Sequence, residues 1–181
     1  MKKVLFTILL MLSMVIMPEV VDAKNEVTIY LFRGSTCGHC EEAIKYINEH
    51  KDELNGINFV TYEVFDHAAN SELHDIIQDK LNVSKDYQNK VPLFVIGEKY
   101  VPGYSSITTF NKIMEIAEDY LDDENYKDVV EESVKELNKE VKPMTLTELF
   151  PEPNKVVTII VYSIFGLIVL GFAGMIIFSR K

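Results

Sequence analysis

The chain has 181 residues, enough for one domain with its own core plus terminal segments, and 28 acidic against 18 basic side chains give a net charge of −10. That acidity repels nucleic-acid phosphates and anionic headgroups, which argues against nucleic-acid partners. The 48% hydrophobic content is concentrated in two uncharged runs rather than spread evenly.

Lys2-Lys3 precede the first run, Val4 to Met17, and Val21 and Ala23 supply small side chains three and one residues before a cut. A basic start, a short apolar run and such a site predict a secretory signal peptide over 1–23, cleaved after Ala23. An uncleaved anchor is the other reading, but the run is short of the ~20 residues of a full span. The second run, Val156 to Phe178, carries no charge over 23 residues. At ~1.5 Å per residue it crosses a ~30 Å hydrocarbon core; a buried soluble helix is the alternative. Arg180 and Lys181, in the tail 179–181, favour the cytoplasmic side. The expectation is a single-pass cell-membrane protein, in contact with lipid through 156–178, with its middle outside the cytoplasm. Gly171 to Gly174 do not make a GxxxG pattern, so oligomeric state stays open. Without the acids and bases of the two ends, 24–155 keeps 26 acidic and 14 basic residues, a net of −12.

Within that middle, Val27 to Phe32 is rich in β-branched and aromatic residues and predicts a buried strand. Gly34, Ser35 and Thr36 break it. From Gly38 the spacing turns helical through Ile44 and Ile47 toward Leu54, with Glu41 and Glu42 in the first turn, where the helix dipole favours acids. Gly56 leads into a second strand, Ile57 to Val64. Asn70 to Leu81 puts Leu73, Ile76, Ile77 and Leu81 on one helical face, with Asn70 or Ser71 as its cap. Leu93 to Ile96, Gly97-Glu98 and Lys99 to Val101 read as a two-residue hairpin. After Pro102-Gly103, residues Ile107, Phe110, Ile113, Met114, Ala117 and Leu121 share a helical face. The strand–helix–strand start requires parallel strands and the hairpin adds antiparallel ones, so an α/β domain with a mixed sheet is expected over 24–121. Residues 122–141 are acidic and amphipathic, with Tyr126, Val129, Val130, Val134, Leu137 and Val141 as a stripe that docks on its own domain or, alternatively, meets a partner. The proline-bearing stretch 142–155 reads as a juxtamembrane linker.

The two cysteines of the chain, Cys37 and Cys40, stand in "RGSTCGHCEEA". A disulfide closing so short a ring constrains the unfolded chain little, which weakens a structural role. Zinc needs about four ligands; there are no further cysteines, His50, His67 and His74 lie beyond the motif, and the His39 ring should point away from both sulfurs. No metal and no cofactor is expected. A redox pair needs two thiols in reach of each other, one of them nucleophilic. Residues three apart share a helix face, and first-turn amides with the positive dipole end stabilise a thiolate at Cys37, as in motifs where cysteine pKa values fall to ~3.5–7.5. Cys40, one turn inside, is the shielded resolving thiol.

Cys37-Gly38-His39-Cys40 after a strand and at a helix start resembles the thioredoxin superfamily, over about Val27 to Leu121. Val91-Pro92 before a strand is similar to that family's cis-proline loop, and Gly103 to its glycine near the same surface. The resemblance implies a thioredoxin-like fold, catalytic Cys37 and Cys40, and substrate binding at Val91, Pro92 and Gly103. Two positions depart from it. Thr36 stands where thioredoxins and protein disulfide isomerases usually carry Trp, and Leu31 where they carry a buried acid, a change that resembles glutaredoxin-like members. Arg33 is either a thiolate-stabilising cation or a solvated strand-end residue.

The Gly-His pair matches protein disulfide isomerases, and a protonated His39 beside the thiolate would stabilise the reduced form. Isomerase-type centres lie near ~−180 mV and thioredoxin near ~−270 mV. The expected function is a membrane-anchored extracytoplasmic thiol-disulfide oxidoreductase acting on exported protein thiols or disulfides, with oxidase or isomerase chemistry placed ahead of reductase. Val156 to Phe178 contains no cysteine, so either direction requires a separate redox partner protein. The alternative from another class is a non-catalytic binding module that holds a partner at the membrane.

Overall fold

The computed structural model describes residues 25–151 and 163–165. The expected signal peptide 1–23, most of the expected span 156–178, the tail 179–181 and the end of the expected linker fall outside the described residues. Among the described residues no helix is long and apolar enough to cross a membrane.

In chain order the elements are β1 (Thr28–Arg33), α1 (Gly38–Glu49), a 3-10 turn (Lys51–Leu54), β2 (Asn58–Glu63), α2 (Ala68–Lys80), β3 (Leu93–Ile96), β4 (Lys99–Pro102), α3 (Ser106–Leu121), α4 (Val129–Leu137), β5 (Pro143–Thr145) and α5 (Leu146–Leu149). The five strands form one sheet in the order β4-β3-β1-β2-β5. β1 and β2 are parallel, while β3, β4 and β5 each run antiparallel to their inner neighbour. A mixed sheet with helices on both faces fits a thioredoxin-like fold.

Alternation along β1 explains the two layers. Ile29 and Leu31, with Phe94 and Ile96 of β3, pack against Ala43 and Ile47 of α1 and Phe110, Ile113 and Ala117 of α3. Tyr30 and Phe32, with Leu93 and Val95, pack on the other face against Leu73 and Ile77 of α2 and Val129 and Val130 of α4. The amphipathic stripe of 122–141 therefore docks on its own domain. Its helix is shorter than the stripe, because Asp128 caps the start through the Glu131 amide at 2.8 Å and Asn138, with φ of 48°, ends it.

Four expectations need correction. The first part of the expected linker 142–155 packs on the domain: Pro143–Thr145 adds a fifth strand to β2, and Leu146 and Leu149 pack on the first core layer. Packing thus continues past the boundary placed at 121. The cap of α2 is His67, whose ring nitrogen accepts the Asn70 amide. Asn70 is instead a buried bridge from the Glu63 carbonyl to the Lys142 backbone. Ile107, on the expected core face of α3, is exposed, since it lies in the first turn before the helix reaches the sheet.

Candidate active site

The register places four segments at one end of the sheet. Arg33 pairs with Glu63, Phe32 with Leu93, and Leu93 with Pro102. The turn leading to Cys37, the loop after β2, Val91-Pro92 and Gly103 therefore share that end.

The turn is built from backbone bonds. The Cys37 amide donates to the Gly34 carbonyl at 3.3 Å. Glu63, at the end of β2, accepts the Ser35 and Phe65 amides on Oε1 at 3.0 and 2.7 Å and the Asp66 amide on Oε2 at 2.9 Å. One carboxylate thus ties the cysteine turn to the next loop, and the Phe65 ring lies against Gly34, where a Cβ would run into it. Neither residue stood out in the sequence; an acid ending a strand before a polar turn was the available signal.

Cys37 is the N-cap of α1, with extended backbone (φ −90°, ψ 101°). Its carbonyl accepts the Cys40 and Glu41 amides at 3.0 and 3.1 Å, and its Sγ accepts the Cys40 amide at 3.2 Å. The two cysteines are joined, with S–S 2.08 Å and Cα–Cα 5.2 Å. Cys37 is half-buried and Cys40 is 1% exposed. A close cysteine pair at this spacing in an α/β fold is compatible with redox chemistry: the outer sulfur can be reached and the inner one is shielded.

His39 projects into solvent, with Nδ1 3.6 Å from Glu42 Oε2. The Val91–Pro92 bond is cis and Pro92 is buried. The Pro92 carbonyl accepts the Gly103 amide at 2.8 Å, which links two of the expected substrate-binding residues directly. Gly103 has φ of +75° with open space where a side chain would stand. Arg33 turns away from the disulfide: Nε donates to Thr61 Oγ1 at 3.4 Å and Nη2 approaches the Met144 sulfur at 3.8 Å. Its aliphatic and cationic parts serve the β2–β5 side, so the reading of Arg33 as a thiolate partner is withdrawn. Leu31 is fully buried between Thr61 and Phe94 in the register, where no acid assists Cys40. Tyr104, beside Gly103, has its phenol raised above the ordinary value by burial first, then by Tyr46, Glu42 and Glu49. Among the described residues no group of His, Cys, Asp or Glu is arranged to hold a metal.

Compared with protein-family models, curated proteins and solved structures, the chain matches none of them.

Proposed function

We propose that the protein is a membrane-anchored, extracytoplasmic thiol-disulfide oxidoreductase that oxidises or rearranges cysteines of exported proteins. The observation that carries this reading is the Cys37–Cys40 disulfide at the start of α1, with the outer sulfur accessible and hydrogen-bonded to a first-turn amide. A substrate thiolate attacks Cys37 Sγ, forming a mixed disulfide and releasing Cys40 as thiolate. A second substrate thiolate then attacks the substrate sulfur of that bond and Cys37 leaves. Two electrons and two protons pass from the substrate dithiol to the protein, which ends as a dithiol. A separate redox partner reoxidises it.

His39 tunes the potential by favouring the thiolate form, and Val91, Pro92 and Gly103 present the substrate backbone. The shared sheet end and the Pro92–Gly103 hydrogen bond support that assignment. The anchor rests on the uncharged stretch Val156 to Phe178. The test is oxidation of a dithiol peptide together with the reduction potential against glutathione. Turnover by the wild type, none by Cys37→Ser, and a potential nearer ~−180 than ~−270 mV are expected. Equal rates for both proteins would remove the enzyme reading, and a thioredoxin-like potential would reverse its direction.

A further inference from the structure

We propose that residues 128–149 form a rigid mount that turns the Cys37–Cys40 disulfide away from the bilayer, so that the centre exchanges with cysteines on soluble or extended polypeptides and not with thiols held at the membrane surface. The proposal rests on the membrane span of the reading above and specifies which partners that same disulfide meets.

Direction comes from the sheet. β5 begins with Pro143 opposite Tyr62, near the disulfide end, and finishes with Thr145 opposite Val60. The chain therefore runs away from the cysteines as it leaves the domain. Leu146, Thr147 and Phe150 then line a cleft with Asn48 and Lys51, at the far end of the helix that starts beside Cys37. The 12 residues of α1 separate the two ends by ~18 Å.

Rigidity comes from the attachments. The Tyr30 hydroxyl donates to Asp128 Oδ2 at 2.8 Å. The buried Asn70 amide donates to the Lys142 carbonyl at 3.2 Å, and its oxygen accepts the Lys142 amide at 2.9 Å. Val129 and Val130 are buried under the sheet, and Lys80 pairs with Glu136 at 2.7 Å. Breaking several such contacts together is needed before the exit can swivel.

Reach completes the argument. Five residues from Pro151 to Val156 span at most ~18 Å, no more than the length of α1. A tether that short keeps the exit end close to the lipid, which leaves the disulfide, at the other end of α1, the more distant of the two. The partner that recycles the centre must carry its own cysteines on a segment standing off the bilayer.

The full chain is reconstituted in phosphatidylethanolamine–phosphatidylglycerol vesicles, with a donor dye on Cys37 in Cys40→Ser, or on Thr147→Cys with both native cysteines changed to Ser. Energy transfer to a headgroup acceptor is expected to be several-fold weaker from Cys37, as a height difference of ~18 Å requires. Equal or stronger transfer from Cys37 overturns the proposal. Loss of most of that difference in Asn70→Ala, or in the milder Tyr30→Phe, supports the mount; a difference that survives both overturns it. A chain that fails to float with the vesicles removes the anchor reading and the proposal with it, whereas the redox reading is judged separately by peptide oxidation.

Discussion

The sulfur of Cys37 accepts a hydrogen bond from the amide of Cys40 at 3.2 Å. The Cys40 backbone thus stabilises negative charge on the Cys37 sulfur whenever that sulfur is a thiolate. Cys37→Ser should reduce dithiol-peptide oxidation to background. In Cys40→Ser the Cys37 thiolate, offered the oxidised disulfide form of the peptide, should attack it and release one peptide thiolate; with no second protein thiol to displace it, the mixed disulfide accumulates and is read as an adduct in the intact mass. An adduct on Cys40 in Cys37→Ser, and none in Cys40→Ser, would reverse the order of attack.

Asp128 serves two elements at once, capping α4 and accepting the Tyr30 hydroxyl, both at 2.8 Å. Asp128→Ala removes a cap, about 0.5–2 kcal/mol, and takes away the acceptor of the Tyr30 hydroxyl, about 1–3 kcal/mol at most. Asp128→Asn should lose less in urea unfolding, because its oxygen still caps and its amide can donate to Tyr30. Burial raises the Asp128 carboxyl above its ordinary 3.8. A carboxyl raised in the folded state adds stability at low pH that is lost as pH climbs through the folded value. Wild type should therefore gain on Asp128→Asn as pH falls from that raised value toward 3.8, and a gap that narrows on acidification would contradict this.

His74 is 4% exposed, stacks on Phe32 at 5.0 Å between ring centroids, and has no hydrogen-bond partner on Nε2. Burial pushes its pKa down from 6.5 to about 4. The unfolded chain takes the proton first, so the stability is whole above pH 6.5 and disappears as pH drops toward 4, by about 3 kcal/mol at most. His74→Leu should unfold within about 1 kcal/mol of wild type at pH 7.5, since an unpaired buried nitrogen is removed, and should lack that acid loss. Urea midpoints from pH 7.5 to 4.5 decide it; parallel curves for the two proteins would be the contrary result.

Gly97 and Gly34 should respond differently to Ala. Gly97 has φ of +54°, and a Cβ there would stand 2.8 Å from the Tyr120 ring and 3.2 Å from that of Tyr126. Tyr120 is 9% exposed and has nowhere to move. Left-handed strain of ~1–2 kcal/mol adds to the clash, so Gly97→Ala should cost about 2 kcal/mol or more. At Gly34 the obstacle is Phe65, which is 55% exposed and can swing into solvent; the cost should stay below about 1 kcal/mol and fall further in Phe65→Ala. Chemical denaturation of the four proteins tests the ordering.

Much of the site was legible in its residues because it depends on local order. Cys37 and Cys40 at a helix start, a hairpin turning on Gly97-Glu98, and Val91-Pro92 before a strand are all short-range patterns, and each lies where it was expected. What escaped depends on contacts distant in sequence. Pro143-Met144-Thr145 is too short and too proline-marked to announce a strand, and becomes one only because β2 offers an open edge. Asn70 reads as a helix cap by type, yet Lys142, 72 positions away, is what it holds. His74 looks like a polar residue on a helix; only the assembled layer shows it under Phe32. Ile107 shows the reverse error, since periodicity assigns a face without knowing how far along the helix that face is covered.

The short fifth strand also bears on how the protein keeps to itself. With order β4-β3-β1-β2-β5, the sheet ends in β4, which carries Lys99 and Pro102, and in three-residue β5, which opens with Pro143. Both are poor templates for a neighbouring chain. Cutting the chain before Pro143 would uncover Val60, Thr61 and Tyr62 and leave six-residue β2 as the edge, a longer row of unpaired amides and carbonyls. The tail that extends the sheet is then also the guard that stops one copy from zipping onto the next.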